Sequence, residues 1–315
     1  MARQLLFVID APDTLKAYKD TTVTMMRAAQ ARGHEIWVCE QEHLSWHKSG
    51  ASARATRFSL TDNDEDWYRG HESAPRPLAG FDAVLMRKDP PFDLEYVAST
   101  WVLSEGEREG ARVFNSPRAL REHNEKLAIA EFPAFTAPSL VARDMGALQE
   151  FIDEHKHTVL KRLDGMGGTG IFVVRHDEPN RNSIVETISG LGTRSVMAQR
   201  YIPEIKDGDK RVLLIDGKLV PHCLARIPKA GESRGNLAAG ARGVAQPVTR
   251  RHREIAEALG PVLSKRGLLL VGLDIIGEYL TEVNVTSPTC FREIADQTGF
   301  DVPGMFIDAL EARLP

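Results

Sequence analysis

Six residues near the middle of the chain, Gly165-Met166-Gly167-Gly168-Thr169-Gly170, constrain the fold more than any other stretch. They match the pattern G-x-G-x-x-G, but a dinucleotide-binding loop of that pattern runs from a strand into a helix. Here Val159-Leu160-Lys161 precedes the glycines and β-type Ile171-Phe172-Val173-Val174 follows them. That order disfavours a Rossmann oxidoreductase. A P-loop is excluded as well, since it needs Lys-Ser or Lys-Thr after the last glycine and Ile171 stands there. What remains is a strand–flap–strand unit whose backbone N–H groups can approach phosphate oxygens. The string alone serves a merely flexible hairpin equally well.

Lys161 shifts that balance. It ends a strand otherwise made of Thr158, Val159 and Leu160, where an ammonium group is costly unless it meets an anion. Lys126, in Asn124-Glu125-Lys126-Leu127 at a helix start, would by itself be an ordinary solvated charge. Two lysines and a glycine flap suit a triphosphate, because phosphoryl transfer depends chiefly on positioning and charge neutralisation.

A second constellation lies near the C-terminus. Gly272-Leu273-Asp274-Ile275-Ile276 and Thr281-Glu282-Val283-Asn284-Val285 set polar groups into apolar strands. Glu282 and Asn284 are two apart and share a face, and Asp274 lies on the partner strand. Two carboxylates and an amide oxygen are hard ligands suited to Mg²⁺. Polar residues on a solvent-facing strand would give the same pattern. Register separates the two readings: a plain two-residue turn at Gly277-Glu278 pairs Asp274 with Thr281 and turns it away from Glu282. A metal site therefore requires an odd-length loop or a bulge, which Gly277 can accommodate.

The 315 residues allow two domains, and a net charge of −4 gives no basic patch to suggest nucleic acid as a partner. Gln4-Leu5-Leu6-Phe7-Val8-Ile9 is too short to span a membrane, and Asp10 ends it. Cys39, Cys223 and Cys290 are odd in number and far apart, which argues against a disulfide framework and for the cytoplasm. The first third reads as a doubly wound parallel-sheet domain. Its strands are Leu5-Leu6-Phe7-Val8-Ile9, Ile36-Trp37-Val38, Ala83-Val84-Leu85-Met86 and Val113-Phe114. Asp20 caps a helix with Val23, Met26 and Ala29 on one face; another helix runs over about 93–109, and a third starts at Pro117. From about residue 158 the chain changes to strands joined by tight loops, with Asp216-Gly217 a strong hairpin signal. The expected fold is α/β: an N-terminal domain over 1–122, then an α+β domain with antiparallel sheets over 123–315, divided near 203/204. Residues 227–243 lack apolar periodicity, as a functional lid does. His43 and His47 have no third ligand partner in sequence, and Cys290 has no histidine partner, so neither reads as a site.

Taken together, the chain resembles the prokaryotic glutathione synthetase family of the ATP-grasp superfamily. The strings that carry the resemblance are Met86-Arg87-Lys88-Asp89-Pro90-Pro91-Phe92, Asn124-Glu125-Lys126-Leu127, Leu163-Asp164-Gly165-Met166-Gly167-Gly168, Lys206-Asp207-Gly208-Asp209-Lys210-Arg211-Val212, Arg234-Gly235-Asn236-Leu237-Ala238-Ala239-Gly240 and 271–289. Arg162 follows Lys161 where family members commonly have proline. The resemblance implies that γ-glutamylcysteine, glycine and ATP give glutathione, ADP and phosphate through an acyl phosphate. It places Lys126, Lys161, Gly165, Gly167, Gly168, Gly170, Gln199, Tyr201, Ile202 and Asp209 at ATP, and Asp274, Glu282 and Asn284 at Mg²⁺, for which Mn²⁺ may substitute. It gives Arg211, Arg226 and Arg234 to catalysis, and Lys19, Asp20, Arg87, Ser287, Thr289 and Arg292 to substrate. A homotetramer is also implied. Another ATP-grasp carboxylate–amine ligase, for a dipeptide or glutamate, is the alternative reading, and a nucleotide-binding regulatory module is the one from another class.

Overall fold

The structure is a computed structural model that describes residues 2–232, 235, 237 and 240–315. It contains three sheets. The first is formed by β1 (Gln4–Ile9), β2 (Glu35–Glu40), β3 (Leu44–His47), β4 (Gly50–Leu60), β5 (Tyr68–Pro77), β6 (Ala83–Met86) and β7 (Val113–Phe114). Its order is β3-β4-β2-β1-β6-β7, with β5 also on β4. Pairing is parallel across β2-β1-β6-β7, and Leu5 to Ile9 are at most 1% exposed. A run apolar on both faces belongs at the centre of such a layer, covered from both sides.

The helices of this layer begin as the sequence leads one to expect. Asp20 accepts a hydrogen bond from Val23 N at 2.8 Å to cap α1 (Thr21–Ala31), whose Val23, Met26 and Ala29 are fully buried. Asp93 caps α2 (Leu94–Arg108) through Tyr96 N, and α3 (Pro117–Glu122) opens on its proline. One addition stands beside the expected parallel sheet. Residues 44–77 form an antiparallel ribbon on its edge, pairing through β4. β5 is largely exposed, so no apolar alternation marks it in the sequence.

The second sheet is antiparallel, made of β8 (Ser139–Ala142), β9 (His157–Arg162), β10 (Ile171–Arg175) and β11 (Val196–Arg200), in the order β10-β9-β11-β8. It shares a core of Leu148, Ile152, Leu160, Val174, Val185 and Val196 with α4 (Met145–His155) and α5 (Arg181–Ser189). β9 and β10 flank the glycine flap and pair Lys161 with Ile171. The strand–flap–strand reading is what the chain adopts.

The third sheet, also antiparallel, contains β12 (Asp209–Ile215), β13 (Lys218–Ile227), β14 (Arg242–Pro247), β15 (Leu270–Ile276) and β16 (Tyr279–Asn284), in the order β14-β13-β12-β15-β16. Ile215 pairs with Lys218 across Asp216-Gly217, whose φ values of +50° and +74° suit a type I′ turn. Three helices follow β14 and β16 to complete this half: α6 (Arg250–Lys265), α7 (Phe291–Thr298) and α8 (Val302–Glu311). The first layer is pinned to the third sheet by buried Asn115. Its Nδ2 donates to the carbonyls of Leu270 and Val285 at 2.8 and 2.7 Å, and its Oδ1 accepts from Leu270 N at 3.0 Å. Among the described residues no helix is long and apolar enough to cross a membrane.

Candidate active site

A cleft of about 830 Å³ lies between the second and third sheets. The flap contributes Gly165, Gly167 and Gly168 to its lining; β11 and the turn after it contribute Gln199, Tyr201 and Ile202, and Asp209 closes the far side. Gly167, Gly168 and Gly170 have φ of +60°, +85° and +70°, a region that a side chain resists. Gly170 shapes the flap's return without lining the cleft. Val159, Ile171, Val173, Ile205 and Ile276 supply apolar walls, of the kind a flat aromatic ring requires.

Both candidate lysines are buried and converge on one carboxylate. Lys126 Nζ and Lys161 Nζ each stand 3.8 Å from Glu282 Oε1. Lys126 also donates to the flap carbonyl of Gly165 at 2.6 Å, and Lys161 to Gln199 Oε1 at 3.3 Å. Two ammonium groups share one carboxylate, so positive charge is left over beneath the flap. In a low-dielectric cleft such an excess attracts an anion strongly.

The register of the carboxylate hairpin answers the question posed by the sequence. Ile276 pairs with Tyr279 across a two-residue turn, and Ile275 pairs with Leu280. The ladder then shifts, so that Thr281 is the extra residue and Asp274 stands directly opposite Glu282. The bulge sits at Thr281 rather than Gly277, and Thr281 Oγ1 donates to Asp274 O at 3.1 Å to hold it. Asn284 pairs with Gly272 on the same face, its Nδ2 donating to Gly272 O at 3.1 Å.

Asp274 also anchors two buried arginines. Arg211 donates to both its oxygens, at 2.6 and 3.3 Å, and Arg226 stands 2.8 Å from Oδ2 and pairs with Asp209 as well. Burial pushes the Asp274 carboxyl up, but Arg211 and Arg226 outweigh it and hold the group well below the usual carboxylate range. Asp209 goes the other way, pushed up to about 6 by burial, with Arg226 opposing and Asp274 and Glu282 adding to the rise. Gly272 permits the arrangement, since a Cβ there would lie 2.9 Å from Arg211 Cδ and 3.1 Å from Pro288 Cβ. Among the described residues no three His, Cys, Asp or Glu side chains are gathered to enclose a metal by themselves. The donors on this face are the oxygens of Asp274, Glu282 and Asn284. That hard but incomplete set fits a magnesium ion that draws its other ligands from phosphate and water.

A second, wider cleft of about 1690 Å³ opens beside the first and shares Lys126, Gly165, Asp274 and Glu282 with it. Arg211, Arg226, Asn284, Lys19, Asp20, Ser287 and Thr289 line it. Asp20 is occupied at the start of α1, and burial raises its pKa. Ser287 Oγ donates to Asp89 Oδ1. Arg87 lies behind this wall, buried, donating to Thr22 Oγ1 and to Pro288 O. Arg292 turns elsewhere, to Asp64 Oδ1 at 2.9 Å and Ala17 O at 3.1 Å, and does not line the cleft. Arg234 lies outside the described residues. Of the candidate lid, Gly235 is buried against Asp209 and the Arg226 carbonyl, and Leu237 packs on the core and lines this cleft.

Glu125 was not singled out by the sequence reading, although it stands inside one of its strings. Its Oε1 accepts from Val285 N, Thr286 N and Thr286 Oγ1 at 2.8–3.1 Å, and its carbonyl accepts from Val283 N. It therefore ties Lys126 to the end of the strand that carries Glu282 and Asn284. Its neighbour Lys126 was the signal that could have drawn notice to it.

Known proteins match the chain over nearly its full length. Residues 4–121 match the family described as prokaryotic glutathione synthetase, N-terminal domain, and residues 125–299 match prokaryotic glutathione synthetase, ATP-grasp domain. The glutathione synthetase of Ralstonia nicotianae is 60% identical over 308 residues, covering 98% of this chain and 95% of that protein. The one from Nitrosomonas europaea is 54% identical over 314 residues, covering 99% and 98%. Among solved structures, the D-cycloserine synthetase DcsG superposes with a TM-score of 0.71 at 16% identity, covering 99% of this chain and all of that one. The ATP-grasp ligase PsnB gives a TM-score of 0.65 at 20% identity, covering 99% of both chains. At those identities the two ligases speak for the fold, which is ATP-grasp. The sequence relatives speak for more: the chain belongs to the prokaryotic glutathione synthetase family.

Proposed function

We propose that the residues of the paired clefts divide the work of an ATP-dependent glutathione synthetase between them. The enzyme ligates γ-glutamylcysteine to glycine and converts ATP to ADP and phosphate. The observation that carries the assignment of residues is the pair of buried lysines sharing Glu282 beneath the glycine flap. Lys126 and Lys161 bind the triphosphate, the flap at Gly165, Gly167, Gly168 and Gly170 covers it, and Gln199, Tyr201, Ile202 and Asp209 hold the nucleoside end. Asp274, Glu282 and Asn284 hold Mg²⁺, which supplies charge neutralisation between the phosphates when bound; Mn²⁺ can take its place. Arg211 and Arg226 are fixed by Asp274 and aim their remaining N–H groups at charge that develops as the acyl phosphate forms and is attacked. Lys19, Asp20, Ser287 and Thr289 line the dipeptide side. Arg87 acts from behind it through Pro288, and Arg292 joins only by leaving Asp64.

The division at 122/123 and 203/204 follows the sheets: one layer orients the dipeptide, and the other two close on ATP. Burial of all three thiols as free cysteines fits a cytoplasmic protein. The assembly is a homotetramer, which light scattering of the purified chain checks.

Phosphate release from ATP tests the whole reading. It should require γ-glutamylcysteine and become stoichiometric with glutathione when glycine is added. Glu282→Ala should lose turnover, most severely at limiting magnesium, because the phosphates are then unscreened. Wild-type turnover in that variant would overturn the metal assignment.

A further inference from the structure

A flap with glycines at positive φ at 167, 168 and 170 loses much conformational freedom when it is fixed in one shape. Either the nucleotide orders it on binding, or the protein holds it beforehand. The contacts around the loop favour the second. Inside it, Thr169 N donates to Met166 O at 3.0 Å. From beneath, Lys126 Nζ donates to Gly165 O at 2.6 Å and Asn124 Nδ2 to Leu163 O at 3.1 Å.

Arg162, the last residue of β9, supplies a hold of another kind. Its Nε and Nη2 donate to the two carboxylate oxygens of Asp164 at 2.9 and 2.7 Å, a parallel fork across the start of the flap. The fork keeps the Asp164 carboxyl below its ordinary range. The stem lies against both ends of the loop. A Cβ built on Gly165 would stand 3.6 Å from Arg162 Cβ, and one on Gly170 would stand 3.4 Å from Arg162 Cδ. One side chain therefore reaches from where the flap departs to where it returns. Its own backbone is fixed by pairing with Val196, and it lines the nucleotide cleft.

Resting on the reading that puts ATP beneath the flap, we propose that Arg162 is a positioning residue that, clamped to Asp164, preorganises the glycine flap for ATP. A flap already in shape loses less freedom when the nucleotide arrives, so affinity is gained without a contact to the nucleotide itself.

The test is calorimetric ATP titration, together with hydrogen exchange of the ligand-free protein, for Arg162→Gln, Asp164→Asn and the double variant. Arg162→Gln keeps most of the stem and removes the charged fork, and Asp164→Asn removes the charge it meets. Each should weaken ATP binding about threefold to fivefold, the scale of a partly exposed ion pair. The double variant should lose no more than either single one, because the same interaction is removed. Amide exchange over residues 163–170 should quicken in each variant while the rest of the second sheet keeps its wild-type rate. That local change separates a brace from a general loss of stability, which the melting temperature records. Wild-type affinity, or wild-type exchange over the flap, in Arg162→Gln overturns the proposal, as do additive losses in the double variant. A weakened Arg162→Gln beside an Asp164→Asn that binds ATP as well as wild type or better overturns it too, since Arg162 then meets the nucleotide directly. Lys161→Met separates the brace from the reading beneath it. An unchanged ATP Kd in that variant falls on the placement of ATP under the flap, whereas a weakened one beside indifferent Arg162 and Asp164 variants falls on the brace alone.

Discussion

Lys161 shows what a single side chain in an unfavourable place can report. It is 7% exposed in a strand whose next residue inward, Leu160, is fully buried, yet its only carboxylate neighbour among the described residues is already shared with Lys126. A structural lysine would have a partner to itself. Lys161→Met keeps the stem and removes the charge, so the fold should survive. Loss of a charge-assisted contact should weaken ATP binding by roughly 1.5–3 kcal/mol, about tenfold to a hundredfold in Kd. Calorimetric titration of the folded variant measures it, and an unchanged Kd would remove this lysine from the nucleotide site. Residues like Lys161 were legible because their neighbours in sequence already make them costly. Glu125 was not, because its worth lies in three donors at Val285 and Thr286, some 160 positions away.

Among the elements, the carboxylate hairpin was legible as a condition and not as a geometry. Sequence spacing showed that Asp274 could meet Glu282 only through an irregularity, and the chain places that irregularity at Thr281. Which residue bulges depends on what its side chain finds, here the Asp274 carbonyl, and spacing cannot supply that. The antiparallel ribbon of β3 to β5 escaped for a related reason: strands exposed along an edge lack the apolar alternation that announces a buried one. Helix α6 carries a prediction of its own. Thr249 and His252 cap it reciprocally, with His252 Nδ1 accepting from Thr249 N at 3.2 Å, so the imidazole must be neutral there. Burial, with Lys210 adding to it, depresses the His252 pKa from 6.5 to about 4. Between those values the unfolded chain takes up a proton that the folded chain refuses. The stability from this group is complete above about pH 6.5 and is lost as pH falls toward 4. Thermal melts should show a midpoint that drops across that window, and His252→Gln, which can still complete a capping box, should flatten the drop. A midpoint equally steep in the variant would assign the acid sensitivity elsewhere.

At the scale of the whole molecule, the proposed division of work requires the first layer and the third sheet to stay in register, because the wider cleft takes Asp10, Asp20 and Asp89 from one and Asp274, Glu282 and Thr289 from the other. Ser287 to Asp89 and Arg87 to Pro288 cross that junction at the cleft itself. Asn115 crosses it in the core, where its amide bonds both the N–H and the C=O of Leu270 and the C=O of Val285. Val285 directly follows Asn284, so the same amide that joins the two halves also fixes the end of the strand that carries Glu282 and Asn284. Asn115→Ala would leave one N–H and two carbonyls buried and unpaired, at a cost of about 2–4 kcal/mol. The loss should not be confined to stability. With the junction loosened, the halves should unfold less cooperatively, so a single urea transition in the wild type should broaden or split in the variant and its m value should fall. KM for the dipeptide should rise more than KM for ATP, because the proposed assignment puts the nucleotide between the second and third sheets and the dipeptide against the first layer. An Asn115→Ala protein with wild-type midpoint, m value and KM ratio would show that the two halves are held together without the Asn115 amide.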